Sequence, residues 1–292
     1  MVSRLLFIIF MLAWAATLFS QRYHVDRTAI GKLKDSRLSE LSGIIGASFD
    51  STLFWVHNDS GDSARIFLVD ANARLKAVYY LEGVHTVDTE DITMFREQGR
   101  TFLVLGDIGD NRGVRQHIYL YIFEEPHWEA GKEIVEIPAQ QIRKVTMRYE
   151  DRPRDAEALF ADPMDRRLYL VSKRDFRAGL YPIELSSLTD GDFLILRRAC
   201  DLPMTFVTAA DMSADGAGLL IKNLTQVFFW QRRTGQPLLD LLGQQPVVLP
   251  YHPEPQGEAI CFGRQNSVFY TISERPLGLD AYLYRYKIVP LD

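Results

Sequence analysis

The chain has 292 residues, of which 47 % are apolar and 24 % charged, values that fit a folded globular protein and exclude a disordered or fibrous one. Its formal charge of −5 is mild and no lysine or arginine run occurs, so nucleic acid is not an expected partner. Two cysteines, Cys200 and Cys261, cannot build a disulfide framework, and the absence of C-x-x-C and H-E-x-x-H spacings excludes the common zinc sites, so any metal here would be bound by oxygen.

The first element is the charge-free stretch Leu5 to Phe19, which follows Arg4 and contains Ala13 and Ala15 in an A-x-A-like arrangement. It falls short of the roughly twenty residues that span a bilayer, and reads as an export signal that is either removed or kept as an N-terminal anchor. Residues 1–20 are therefore assigned to the leader and 21–292 to one domain, placed in the periplasm or outside the cell. Membrane contact is expected only through an uncleaved leader.

From Leu38 onward the chain is a succession of short runs rich in Val, Ile, Tyr and Phe, broken by Gly, Pro, Asp and Asn, with almost no helical periodicity. Such runs are strands, and the class is all-β. Aligning the chain with itself reveals one pattern five times: an acid, a few mainly apolar residues, a turn, then an apolar run with a polar end. The first halves are SELSGII from Ser39, TEDITMF from Thr89, AEALFAD from Ala156, ADMSADG from Ala210 and GEAICFG from Gly257. The second halves end at Asp59, Asp107, Lys173, Asn223 and Glu274. Two further strand-like runs, such as RIFLVD from Arg65 and LKAVYYL from Leu75, separate one copy from the next.

Four strands recurring about every fifty residues are the mark of propeller blades. Five copies predict a β-propeller of five four-stranded blades, with six as the alternative. The last copy reaches only three strands, so the segment around Tyr23 to Leu33 is expected to supply the fourth, and the two termini then share the closing blade. The stretches Glu125 to Ile137 and Thr234 to Pro246 read as long loops inside blades.

The first strand of every blade lines a propeller's channel, so the aligned acids Glu40, Glu90, Glu157, Asp211 and Glu258 are expected to converge on the axis. Facing carboxylates repel unless a cation, a base or a proton compensates them. Ca²⁺ suits an all-oxygen donor set in flexible geometry, and Asp59 and Asp107 join the candidate ligands from the turns NDSGD and GDIGDN. The alternative is structural: buried acids that accept hydrogen bonds from backbone amides of the next blade would repeat just as regularly. Lys173, Arg174, Lys222 and Asn223 place positive and polar groups beside the ring, where Arg174, Lys222 and Asn223 are candidate substrate contacts. Lys173 and His252 are the candidate catalytic groups, and His57 is a further candidate base.

The segments DAEAL at Asp155 to Leu159, QGEAI at Gln256 to Ile260, ELSGI at Glu40 to Ile44 and NDSGD resemble those of secreted bacterial propellers of the phytase-like and esterase-like group, related in architecture to calcium-dependent phytases and gluconolactonase-type hydrolases. The likeness covers the repeat motifs along most of the chain. It departs from the group in blade number, since those families usually have six, and in the acidic set, which is smaller than a phytase's. The resemblance implies metal or substrate contacts for Glu40, Asp59, Glu90, Asp107, Glu157, Asp211 and Glu258. Two functions follow as expectations: a metal-dependent hydrolase of phosphoesters, esters or lactones, taking a small-molecule or envelope substrate, or a non-catalytic scaffold that binds a protein or glycan.

Overall fold

A computed structural model describes residues 23–291, so the leader assigned to residues 1–20 lies outside the described residues. The described chain forms five antiparallel blades in a ring, and the six-bladed alternative falls.

The first blade comprises β2 (Leu41–Gly46), β3 (Leu53–Asn58), β4 (Arg65–Asp70) and β5 (Leu75–Leu81). The second comprises β6 (Thr89–Glu97), β7 (Arg100–Asp107), β8 (Ile118–Glu124) and β10 (Arg143–Tyr149), and the third β11 (Ala156–Asp162), β12 (Arg167–Ser172), β13 (Gly179–Glu184) and β15 (Cys200–Asp201). The fourth contains β16 (Val207–Met212), β17 (Gly218–Asn223), β18 (Val227–Gln231) and β19 (Val247–Leu249). The fifth is β20 (Ala259–Phe262), β21 (Val268–Ile272) and β22 (Tyr282–Pro290), completed by β1 (Tyr23–Lys32) from the other end of the chain. The expected closure by the N-terminal segment is thus present, with Tyr23 opposite Pro290 and Lys32 opposite Tyr282.

Burial explains why the inner strands lack a clean apolar/polar alternation. Both faces of a blade pack against neighbouring blades, so β3, β12 and β16 are buried almost throughout. The outermost β1 alternates between exposed and half-buried positions along most of its length. Gly31 is needed where β1 reaches the first blade: a Cβ there would stand 2.2 Å from the carbonyl carbon of Asn72.

Two stretches differ from the expected loops. Ile134–Ile137 forms β9, which pairs in parallel with β5 and so extends the preceding blade. Leu238–Leu242, inside the Thr234 to Pro246 stretch, forms a short helix whose Leu238, Leu241 and Leu242 pack into the core between the third and fourth blades. A third excursion, β14 (Phe193–Leu196), pairs in parallel with β10, again reaching back one blade. These parallel outer strands couple consecutive blades at the perimeter, far from the channel. Cys200 and Cys261 are both free thiols.

Candidate functional site

The inner strands β2, β6, β11, β16 and β20 pack side by side around the axis. Four of them carry a register shift near their start, between Leu41 and Gly43, Thr89 and Asp91, Ala156 and Ala158, and Val207 and Ala209. A bulged residue leaves the ladder and its side chain is re-aimed; this end of the channel is here called the mouth. The bulged residues are Ser42, Glu90, Glu157 and Thr208, and Glu258 holds the same place just ahead of the pair Ala259 and Ile272. Three acids and two hydroxyls therefore occupy the repeated position, rather than five acids. Glu40 stands two residues before it and Asp211 three residues after it.

This frame sorts the sequence candidates. Asp59, Asp88 and Glu90 each bring a carboxylate oxygen within 4.8 Å of the others, as do Asp59, Glu258 and Glu274, and Glu90, Asp155 and Glu157. The structure thus brings together Asp59, Glu90, Glu157 and Glu258, and adds Asp88, Asp155 and Glu274. Asp88 and Asp155 sit two residues before Glu90 and Glu157, just ahead of β6 and β11, so the recurring spacing D-x-E was the signal that would have found them. Glu40 is their counterpart in the first blade. It is exposed, and its carbonyl accepts the Asp59 N–H at 2.7 Å.

Asp107 and Asp211 are not among these groups. Asp107 is fully buried and accepts the backbone N–H of Asp88 at 2.9 Å while Arg115 lies 2.8 Å from it, so it fixes the loop that carries Asp88. Asp211 accepts the N–H of Phe262 at 2.7 Å and joins the fourth blade to the fifth. Asp91 accepts the N–H of Leu159 at 2.8 Å and joins the second to the third. These are the inter-blade contacts of the structural alternative.

Lys173 lies among the acids, paired with Glu157 and 3.5 Å from Glu258. Burial works against its charge, but Glu157, Glu258 and Glu90 outweigh that and hold it above the usual lysine range. Burial drives Glu90 well above the usual carboxylate range, reinforced by Glu157, Asp59 and Asp88. Burial first, then Asp88 and Glu258, raises Asp59 to about 6, and burial with Glu258, Asp59 and Glu40 raises Glu274 to about 8. The mouth thus holds more negative charge than Lys173 can compensate, which is the condition for taking up a cation or retaining protons.

The other candidates hold narrower positions. Arg174 donates to Asp155 at 2.6 Å and also contacts Asn111. Lys222 is buried, donates to the carbonyls of Gly257 and Asn223, and is pushed down to about 8 by that burial. Asn223 caps its own turn by accepting the Gln226 N–H at 2.8 Å. His252 is exposed on the loop before Glu258 and has no side-chain hydrogen bond among the described residues. His57 is buried, bonded to the carbonyl of Asn58 at 2.9 Å, and lowered to about 4 by burial, so its ring is neutral at pH 7 and shut away from the mouth.

Asp59, Asp88 and Glu90 fit a hard cation. No lysine or arginine forms an ion pair with any of the three among the described residues, and oxygens within 4.8 Å of one another are close enough to share one ion. Gly109 maintains the group, because a Cβ there would stand 2.2 Å from Glu90 Oε1 and 2.6 Å from Asp88 Oδ2. Comparison with protein-family models and with curated protein sequences finds no match. Among the described residues no helix is long and apolar enough to cross a membrane.

Proposed function

We propose that this is an exported propeller that binds a calcium-like divalent cation at its mouth and uses the loaded mouth to hydrolyse a phosphoester, ester or lactone. One observation carries the reading: Asp59, Asp88 and Glu90 gather around one point, and no lysine or arginine forms an ion pair with any of them among the described residues. The charge-free stretch Leu5 to Phe19 behind Arg4 supports a place in the cell envelope. The cation would supply Lewis-acid polarisation of the scissile group. Lys173 holds a positive charge beside that point and, with its amine fixed by Glu157 and Glu258, stabilises negative charge developing on a substrate oxygen. Asp107 fixes Asp88, and the burial of Glu90 and Glu157 keeps bulk water from the inner wall.

A second reading, a docking scaffold for a protein, draws on the loops near the mouth. Phe176 is 94 % exposed, Leu277 is fully exposed, and Phe206 holds φ at 55°, a conformation unfavourable for an aromatic residue.

Thermal unfolding in chelator and in excess Ca²⁺ tests the metal. Calcium at a hundred times its dissociation constant stabilises by about 2.7 kcal/mol, or roughly 5 °C for a domain of this size. That rise is expected for the natural chain and absent from Glu90→Gln. An unshifted midpoint with every divalent ion refutes the metal reading. With calcium binding established, hydrolysis of phosphoesters and lactones that Lys173→Met abolishes supports the enzyme, and silence on all of them supports the scaffold.

A further inference from the structure

Beside the mouth, between the second and third blades, lies a cleft of about 180 Å³ lined by four arginines: Arg112, Arg152, Arg154 and Arg174. They come from a loop of the second blade, the link from the second blade to the third and a loop of the third, so the convergence is a product of the fold and not of a local basic run.

Asp110, Asp155 and Asp175 line the same cleft, where Asp110 accepts the Arg115 N–H at 2.7 Å, and Asp151 pairs with Arg154. Asp155 accepts the Asp110 N–H at 2.8 Å with one oxygen and Arg174 Nε at 2.6 Å with the other. Asp175 takes Arg154 at 2.8 Å and Arg152 at 2.9 Å on one oxygen and the Ser172 hydroxyl at 2.7 Å on the other. Both carboxylates are largely buried. The guanidiniums remain unsaturated, since each carries five N–H donors in a fixed fork. Arg154, with a side chain only 6 % exposed, has a buried Nε with no partner. Arg112 is exposed and has no side-chain partner among the described residues. Arg152 and Arg174 have side chains 63 % and 45 % exposed, each with N–H groups beyond those already bonded.

The N–H groups that these guanidiniums leave unused call for an anion rich in oxygen. A carboxylate offers two oxygens, fewer than guanidiniums on several sides can share, whereas a phosphate group offers at least three around one centre. We propose that this cleft is a binding site for a phosphate group, either free inorganic phosphate or the phosphoryl end of an ester. The Asp155 carboxylate that orients Arg174 also belongs to the acidic cluster with Glu90 and Glu157, so the two sites share a wall. Phosphate binding stands without any metal. Its extension, that phosphomonoesters are the substrate class, rests on the metal-dependent reading above.

Isothermal titration of the full chain in chelator separates the two, using inorganic phosphate in one arm and phenyl phosphate in the other. Saturable binding of one or both is expected, weakened at least tenfold in Arg112→Gln and in Arg174→Gln and unchanged in Arg264→Gln, an arginine that contacts Ser48 elsewhere on the surface. Phenyl phosphate binding as tightly as inorganic phosphate marks an ester site, and inorganic phosphate binding alone marks a free-ion site. Arg112 is unpaired, so its variant is expected to fold with an unaltered melting midpoint, and retained affinity in that variant overturns the proposal. So does failure of both ligands to bind the natural chain at millimolar concentration, whatever the calcium result.

Discussion

Replacing Asp211 by asparagine should make the protein more stable at neutral pH, and by an amount that depends on pH in a defined direction. Asp211 is buried beside Asp91 and Cys261, and burial raises it from its ordinary 3.8 to about 7 although the N–H groups of Phe262 and Met212 favour its charged form. In the unfolded chain it ionises above about pH 4, while in the folded chain it keeps its proton to about 7. Between those values the folded state binds more protons than the unfolded state, so the stability contributed by this residue falls as pH rises and is flat outside the window. The full displacement corresponds to about 4 kcal/mol, and local relaxation is expected to leave about half of that. Asparagine keeps an acceptor for the Phe262 N–H and does not titrate. Urea unfolding from pH 4 to pH 8 should therefore show natural chain and variant nearly equal at the acid end. The variant should pull ahead through pH 5 and 6 and hold a constant lead above pH 7. A difference independent of pH refutes the assignment, and a natural chain that gains on the variant as pH rises would mean that Asp211 is ionised and held by its backbone donors.

Gly109→Ala should fold but displace Glu90 and Asp88, because the added carbon stands 2.2 Å from the Glu90 carboxylate; a calcium titration of the melting midpoint is expected to show at least tenfold weaker binding, and unchanged affinity would remove these two groups from the site. Arg232→Met breaks the buried pair in which Arg232 lies 2.6 Å from Asp162 across the third and fourth blades. It should cost about 3–5 kcal/mol in urea unfolding, most of it recovered in the double variant with Asp162→Leu, since the penalty comes from a charge left alone in the interior.

The blade repeat was readable because each unit buries both faces, and the apolar runs that result, such as LYLVS ending at Ser172, recur with turns between them. Closure by Tyr23 to Lys32 was readable by counting, since three strands at the end of the chain require a fourth. The position of the acids within the strands was harder. A bulge adds a residue on one side of the ladder only, so acids aligned by identity fall out of step with the channel wall. Glu90, Glu157 and Glu258 survived that slip, while Glu40 and Asp211 were shifted out of the repeated place. The role of Asp107 was hidden for a different reason: its partners are backbone amides and Arg115, and chain order alone does not bring Arg115 back toward the strand it follows. The short strands Ile134–Ile137 and Phe193–Leu196 escaped because a parallel partner in the preceding blade leaves no mark in the sequence of either strand.

The shared closing blade also sets a direction. β22 leaves the loop after Glu274, beside the acidic mouth, and its nine residues carry the chain roughly 30 Å to Pro290, where Tyr23 begins the return. Tyr23 therefore stands at the end of the closing blade opposite the carboxylates, and a group attached at that end of β1 would lie away from both the mouth and the arginine cleft.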